Sequence, residues 1–200
     1  MIRIETIKKQ FDDQVVLKGI STVFEEGKTN LIIGKSGAGK TVMLKILVGL
    51  LQPTSGTVWY GDTDFTALNN KQRKAIRTDM GMLFQGSALF DSMTVEENVR
   101  FPLDMFTNLT WDEKKKKVNE TLDRVELTGS NNKYPSEVSG GMQKRVGIAR
   151  AIILDPKFLF CDEPNSGLDP TTSMKIDKLI RSITVENKMT TVINTHDMNS

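Results

Sequence analysis

The 200-residue sequence has little of what staples or metallates a small protein: one cysteine and one histidine. A disulfide framework is thereby excluded, and the thiol usage fits a reducing cytosol. Cys161 lies in the apolar run Phe158-Leu159-Phe160-Cys161, which predicts a buried, inert thiol. No apolar stretch is long enough to cross a bilayer. The alternating start Met1-Ile2-Arg3-Ile4-Glu5 also lacks the apolar block of a signal peptide, so work at a membrane would need a partner. An excess of one charge is missing too: 27 Lys plus Arg face 25 Asp plus Glu, a net of +2, which argues against a dedicated nucleic-acid binder. What remains is ordinary globular usage, 38% hydrophobic and 26% charged, in a chain long enough for one or two domains and a buried core.

Near-alternate Ile2, Ile4 and Ile7, then residues 15–20 and 21–24, predict short strands with turns at Asp12-Asp13 and Glu25-Glu26-Gly27. Leu31-Ile32-Ile33 predicts a strand running into a helix with apolar positions Met43, Leu44, Leu47, Val48 and Leu51, stopped by Pro53 and Gly56. Further strands are expected over residues 57–60 and 80–84. From Thr94 the pattern turns helical, and Thr110-Trp111-Asp112-Glu113 has the form of a capping box before Val118, Leu122 and Val125. The basic run from Lys114 to Lys117 reads as a solvated helix face. Helices over residues 142–154 and 171–186 and strands over 158–161 and 190–194 complete an α/β alternation that implies a largely parallel sheet. The helical insert reads as a lobe of one unit.

Gly34-Lys35-Ser36-Gly37-Ala38-Gly39-Lys40-Thr41 matches Gly-x-x-x-x-Gly-Lys-Ser/Thr between a predicted strand and a predicted helix. Glycines let successive amides point inward, and the helix N-terminus adds positive potential, which together form a phosphate cradle. Lys40 would meet the β- and γ-phosphates and the Thr41 hydroxyl would ligate Mg²⁺. A dinucleotide fingerprint fails on spacing, because its third glycine position is Val42. Asp162 and Glu163 end the strand at residues 158–161, at the sheet edge where open α/β folds bind ligands. Asp162 would hold Mg²⁺, directly or through water, and Glu163 would polarise the attacking water; an acidic pair opening a surface turn before Pro164 is the alternative.

Val138-Ser139-Gly140-Gly141-Met142-Gln143 offers a second anion-binding helix start, which one nucleotide does not need. Ser-Gly-Gly, then Lys144-Arg145-Val146-Gly147-Ile148-Ala149-Arg150-Ala151, Asp155-Pro156 and Asp162-Glu163-Pro164 resemble the nucleotide-binding subunit of an ABC transporter, in that family's motif order and over nearly the whole chain. The resemblance implies a P-loop NTPase of the ABC ATPase fold with a mostly parallel core sheet, an N-terminal antiparallel β-subdomain and a helical subdomain. It implies one domain over residues 1–200, with about 1–84 and 155–200 as nucleotide-binding core and about 85–154 as Gln85 loop and helical subdomain. The family pattern continues beyond His196 with further strands and a helix, so a truncated C-terminal part is expected.

By the same resemblance Phe11 stacks on adenine, Gln85 senses the γ-phosphate through Mg²⁺ or water, and His196 is the switch histidine. Ser166-Gly167-Leu168-Asp169 resembles the loop crossing a dimer interface. Ser139, Gly140, Gly141 and Met142 form the signature that acts on a partner copy's nucleotide, with Met142 where the family usually has glutamine. This form, together with the stretch from Met82 to Leu103, is similar to ATPases of the Mla type, which serve phospholipid trafficking with a permease and a lipid-binding MCE-domain protein. Amino-acid importers share much of that stretch. The implied cofactors are ATP and Mg²⁺. The implied partners are a second ATPase subunit in a head-to-tail homodimer and a permease docking between Gly86 and Phe106, where Leu89, Phe90, Met105 and Phe106 are expected at the surface. No nucleic acid is implied, and the implied location is the cytoplasmic face of the inner membrane. A soluble ABC-type ATPase acting on DNA or the ribosome would be expected to show tandem cassettes or a long coiled coil. A P-loop kinase would leave Ser-Gly-Gly and His196 unexplained.

Overall fold

A computed structural model describes residues 1–195, so His196 lies outside the described residues. The early isoleucines form β1 (Ile2–Phe11), which buries Ile2, Ile4 and Ile7. Their broken alternation has a physical source, a register shift between Ile4 and Ile7 with Thr6 in the left-handed region at φ 49°. The turn at Asp12-Asp13 leads into β2 (Gln14–Phe24), one strand of 11 residues rather than the two expected. Only Leu17 and Phe24 of β2 are buried, so it carries no alternation to read. β1 also pairs with β4 (Ser55–Tyr60), which pairs with β5 (Thr63–Asp64), giving an antiparallel sheet in the order β2-β1-β4-β5.

The second sheet is parallel throughout, in the order β3-β8-β7-β6, from β3 (Thr29–Ile33), β6 (Met80–Leu83), β7 (Phe158–Asp162) and β8 (Thr190–Thr195). Helices cover both faces, as such sheets require. Phe160 and Val192 join α1 (Lys40–Leu47) and the antiparallel sheet in one core. Leu159, Cys161 and Ile193 point the other way, into a core shared with α5 (Gly140–Ile152), α6 (Pro170–Glu186) and the helical lobe. Burial pushes the Cys161 thiol up to about 12, which makes it the inert group its setting predicts.

α1 stops at Leu47, short of the expected Pro53. Gly49 at φ 72° closes it by donating to the Ile46 carbonyl at 3.0 Å while Leu50 donates to Lys45 at 2.8 Å. α2 (Asn70–Arg77) has no counterpart among the expected elements, although Asn69 and Gln72 form a reciprocal capping box at 3.0 Å each way. Only Arg73 of α2 is buried, so it has no apolar stripe to read. The lobe consists of α3 (Val95–Phe106) and α4 (Trp111–Arg124), whose Val95, Val99, Leu103, Val118 and Leu122 pack towards α5. Within the basic run, Lys115 and Lys116 face solvent, but Lys114 pairs with Asp104 at 2.9 Å and Lys117 with Asp155 at 2.6 Å. Leu89 departs from expectation: it is half-buried against the core, whereas Phe90, Met105 and Phe106 are exposed.

Both lobe helices begin with a Thr-x-x-Glu box, in which Glu97 accepts the Thr94 amide at 2.8 Å and Glu113 that of Thr110 at 2.7 Å. Those amides, and next the threonine hydroxyls, hold both carboxyls below the ordinary glutamate value. A depressed folded-state value means the stabilisation is complete above the unfolded value and is lost as pH falls through the folded one. The melting temperature should therefore drop less between about pH 6 and about pH 3 in a Glu97→Gln/Glu113→Gln double variant, whose amides gain no proton, than in the parent. Equal drops would detach the caps from the acid response.

Candidate active site

β3 runs into the glycine-rich turn and the turn opens α1, so the local order strand, loop, helix is as the motif demands. The Ala38 amide donates to the Lys35 carbonyl at 3.1 Å, tightening the loop. Gly39 sits at φ 92°, and a Cβ there would lie 2.9 Å from both Leu17 and Val16 side chains. Only glycine lets β2 lie this close to the loop. Lys40, 8% exposed, curls back and donates to the carbonyls of Gly34 at 2.9 Å and Lys35 at 3.3 Å. Its ammonium also lies 3.5 Å from the Glu163 carboxylate.

β7 delivers the carboxylates. Asp162 is its last residue, buried, and accepts the Thr41 hydroxyl at 3.2 Å. Glu163 follows at φ 50°, a left-handed conformation unusual for a non-glycine residue and a form of strain that clusters at functional sites. Its amide is held by Asn194 on β8, through the side-chain oxygen at 2.9 Å and the carbonyl at 3.1 Å. The Glu163 carbonyl in turn accepts the Ser166 amide at 3.1 Å, turning the chain back. Asn194 is fully buried, and its Nδ2 has no partner among the described residues. No local pattern in the sequence marks Asn194, because Asp162 and Glu163 become its neighbours only through strand pairing.

A cleft of about 520 Å³ brings together Ser36, Gly37, Gly39, Lys40, Thr41, Gln85, Glu163 and Ser166, with Val16 and Val42 as apolar wall. Phe11 is not in that lining; it stands at the tip of the β1–β2 hairpin, 42% exposed, with the Lys9 ammonium 4.8 Å from its ring centre. Ser139, Gly140, Gly141 and Met142 are also outside it. Ser139 caps α5, accepting the Met142 amide at 3.3 Å, and both Ser139 and Gly140 are exposed. The α5 tip lies against the loop at residues 166–169, since a Cβ on Gly140 would meet Leu168 at 3.7 Å and one on Gly141 would meet Thr172 at 2.7 Å. Asp169 caps α6 by accepting the Thr172 amide at 3.0 Å, and the Thr172 hydroxyl, ahead of that amide, holds its carboxyl below the usual range.

The cleft can bind a polyphosphate: it offers loop amides, an ammonium and a helix N-terminus. Thr41 and Asp162 present hard oxygens side by side, which fits Mg²⁺. No group of three or more His, Cys, Asp or Glu side chains that could hold a metal ion occurs among the described residues. No described helix is long and apolar enough to cross a membrane.

A sequence model of the family described as "ABC transporter" matches residues 17–166. The chain belongs to that family. Its relatives include the "probable ribonucleotide transport ATP-binding protein mkl" of Mycobacterium leprae, 39% identical over 198 residues, which are 99% of this chain and 57% of that one. The "methionine import ATP-binding protein MetN" of Clostridium tetani is 42% identical over 202 residues, 99% of this chain and 62% of that one. The chain thus spans about three fifths of the length of these curated relatives. Among solved structures, the dimeric bacterial ABC transporter cassette MJ0796 matches with a TM-score of 0.90 and 33% identity over all of this chain and 89% of that one. A post-hydrolysis dimer of the same cassette, bound to ADP and Pi, matches with a TM-score of 0.88. The fold is that of an ABC cassette, with the parallel core, antiparallel sheet and helical lobe that the resemblance implies.

Proposed function

We propose that this chain is the ATP-binding and ATP-hydrolysing subunit of an ABC transporter, working as a head-to-tail dimer on the cytoplasmic face of the inner membrane beneath a permease. The observation that carries this is the convergence of two pairs at one cleft, Lys40 with Glu163 at 3.5 Å and Thr41 with Asp162 at 3.2 Å. In this reading the amides from Gly34 to Gly39 and the Lys40 ammonium hold the β- and γ-phosphates. Thr41, Asp162 and Gln85 take Mg²⁺, which neutralises charge developing on the transferred phosphoryl group when bound. Glu163 orients and deprotonates the attacking water. Phe11, exposed on its hairpin, is the ring for adenine. His196 is assigned the switch position.

The signature at Ser139, Gly140, Gly141 and Met142 is outside the lining of its own cleft, and in this reading it serves the partner copy's γ-phosphate, beside the interface loop from Ser166 to Asp169. ATP then bridges the two copies, and hydrolysis removes the bridge; a ligand that contacts only the closed state biases the pair towards it. The permease is assigned to a groove of about 310 Å³ lined by Phe84, Phe90, Phe101 and Phe106 among others, a surface of the kind that takes an amphipathic helix. Phospholipid trafficking of the Mla type, with an MCE-domain protein, is the favoured transport task on the pattern around Met142 and from Met82 to Leu103. Amino-acid import is the second, favoured by the MetN relative. Co-purification with an MCE-domain protein supports the first and its absence beside an amino-acid-binding partner the second.

The test of the nucleotide reading is ATP binding and phosphate release by the full-length protein and its Lys40→Ala variant. The variant should bind ATP at least about a hundredfold more weakly, ~2.7 kcal/mol, the scale of losing charge-assisted bonds to phosphate. Unchanged affinity would remove the cleft from the reading.

A further inference from the structure

Lys144 is 4% exposed, and its ammonium is fully buried without a hydrogen-bond partner among the described residues. Its place follows from helix geometry. Lys144, Gly147 and Ala151 lie at spacings of three and four, on one face of α5. A Cβ on Gly147 would fall 2.7 Å from Leu83, and one on Gly81 would collide with the Ala151 carbonyl, so this face rides on β6. Leu83 is level with Cys161 and Gly81 with Leu159 across the parallel pair. α5 therefore runs against the strand direction, and Lys144, one turn beyond Gly147, falls at the strand ends where Asp162 and Glu163 emerge.

We propose that Lys144 is a positioning residue, a buried counter-charge behind the sheet that holds the Asp162–Glu163 carboxylate pair in place for the reaction proposed above, a reading on which this inference rests. Burying an ammonium without a hydrogen bond is costly, and an apolar side chain of the same length would fill the space without that penalty. The compensation comes from nearby anions. Burial draws the Lys144 ammonium below the ordinary lysine range, and among the groups that oppose it are Asp162 and Glu163. Cys161, pushed up to about 12, carries no charge near neutral pH. On the cleft side Glu163 has Lys40 at 3.5 Å. When Lys40 turns to phosphate, that front contact weakens and the charge behind the sheet stays. Nothing local in the sequence separates this lysine from the many solvated ones; its meaning depends on α5 lying across β6.

Three variants of the full-length protein, Lys144→Met, Lys144→Gln and Lys144→Arg, separate charge from packing. Methionine copies the lysine stem and arginine keeps the charge at a worse fit. Turnover should fall at least about tenfold in the Met and Gln variants with ATP affinity within about twofold, and Lys144→Arg should keep most of it. A packing role predicts the reverse order. A thermal double-mutant cycle needs no nucleotide: the change in melting temperature on Lys144→Met should be more favourable in a Glu163→Gln background than with Glu163 present. Wild-type turnover in Lys144→Met, or additive thermal shifts, overturns the proposal. If the Arg variant does not fold, the Met and Gln variants and the cycle decide. Failure of the parent itself to bind and hydrolyse ATP strikes the nucleotide reading instead, while the thermal cycle still reads the link to Glu163.

Discussion

Glu163→Gln is expected to slow ATP turnover by about three decades, ~4 kcal/mol of barrier, and to leave ATP binding within about twofold of the parent. Glutamine has the same shape, and the main chain at residue 163 is fixed by backbone contacts: its amide is held by Asn194 at 2.9 Å and 3.1 Å and its carbonyl by the Ser166 amide. The turn at φ 50° should therefore persist. What is lost is the proton acceptor and one partner of Lys40. Lys40 keeps the Gly34 and Lys35 carbonyls at 2.9 Å and 3.3 Å, so its aim at the loop survives. The neutral side chain also repels a triphosphate less, which opposes any loss of affinity. On the proposed cycle, binding without hydrolysis accumulates the closed dimer. Phosphate release and ATP-dependent sedimentation of the variant check both halves, and parental turnover would dismiss Glu163 as the base.

The parts of this site that were legible in the sequence are those whose geometry is local. The turn from Gly34 to Thr41 is a contiguous strand–loop–helix, and the hydroxyl and ammonium it offers sit on adjacent residues. Asp162 and Glu163 were readable because an apolar strand must end somewhere and parallel strands end at the ligand edge. Their support was not. Asn194 grips Glu163 across strand pairing from 31 residues away, and Lys144 acquires its role only when α5 crosses β6. Phe11 stands on an exposed hairpin tip outside the cleft lining, so its proposed place beside adenine is read from the resemblance and not from the cleft itself. In the fold, the bulge near Thr6 and the exposed face of β2 removed the period that strand reading depends on, and α2 was missed because capping, rather than an apolar stripe, marks it.

Ser139→Arg tests whether two copies share one nucleotide. Ser139 lies outside the cleft that holds Lys40 and Glu163, so a single copy of the variant should bind ATP within about twofold of the parent. The local damage is small: the hydroxyl accepts one amide, that of Met142 at 3.3 Å, and losing such a cap costs about 1 kcal/mol, too little to unfold the domain. The effect at the interface is much larger. Ser139 and Gly140 are exposed small residues, Gly140 beside Leu168, and a close approach to an incoming phosphate depends on their size. Arginine there replaces a hydroxyl with a long charged side chain that blocks the backbone amides behind it and fills the space the partner's γ-phosphate would enter. Turnover should fall by at least about a hundredfold, ~2.7 kcal/mol, and ATP should no longer drive association of the Ser139→Arg/Glu163→Gln double variant, whereas Glu163→Gln alone associates. Light scattering with and without ATP gives the second result independently of any chemistry. If the double variant still dimerises with ATP and the single variant still turns over cooperatively in its membrane complex, each copy completes its own site and the shared-nucleotide arrangement is wrong.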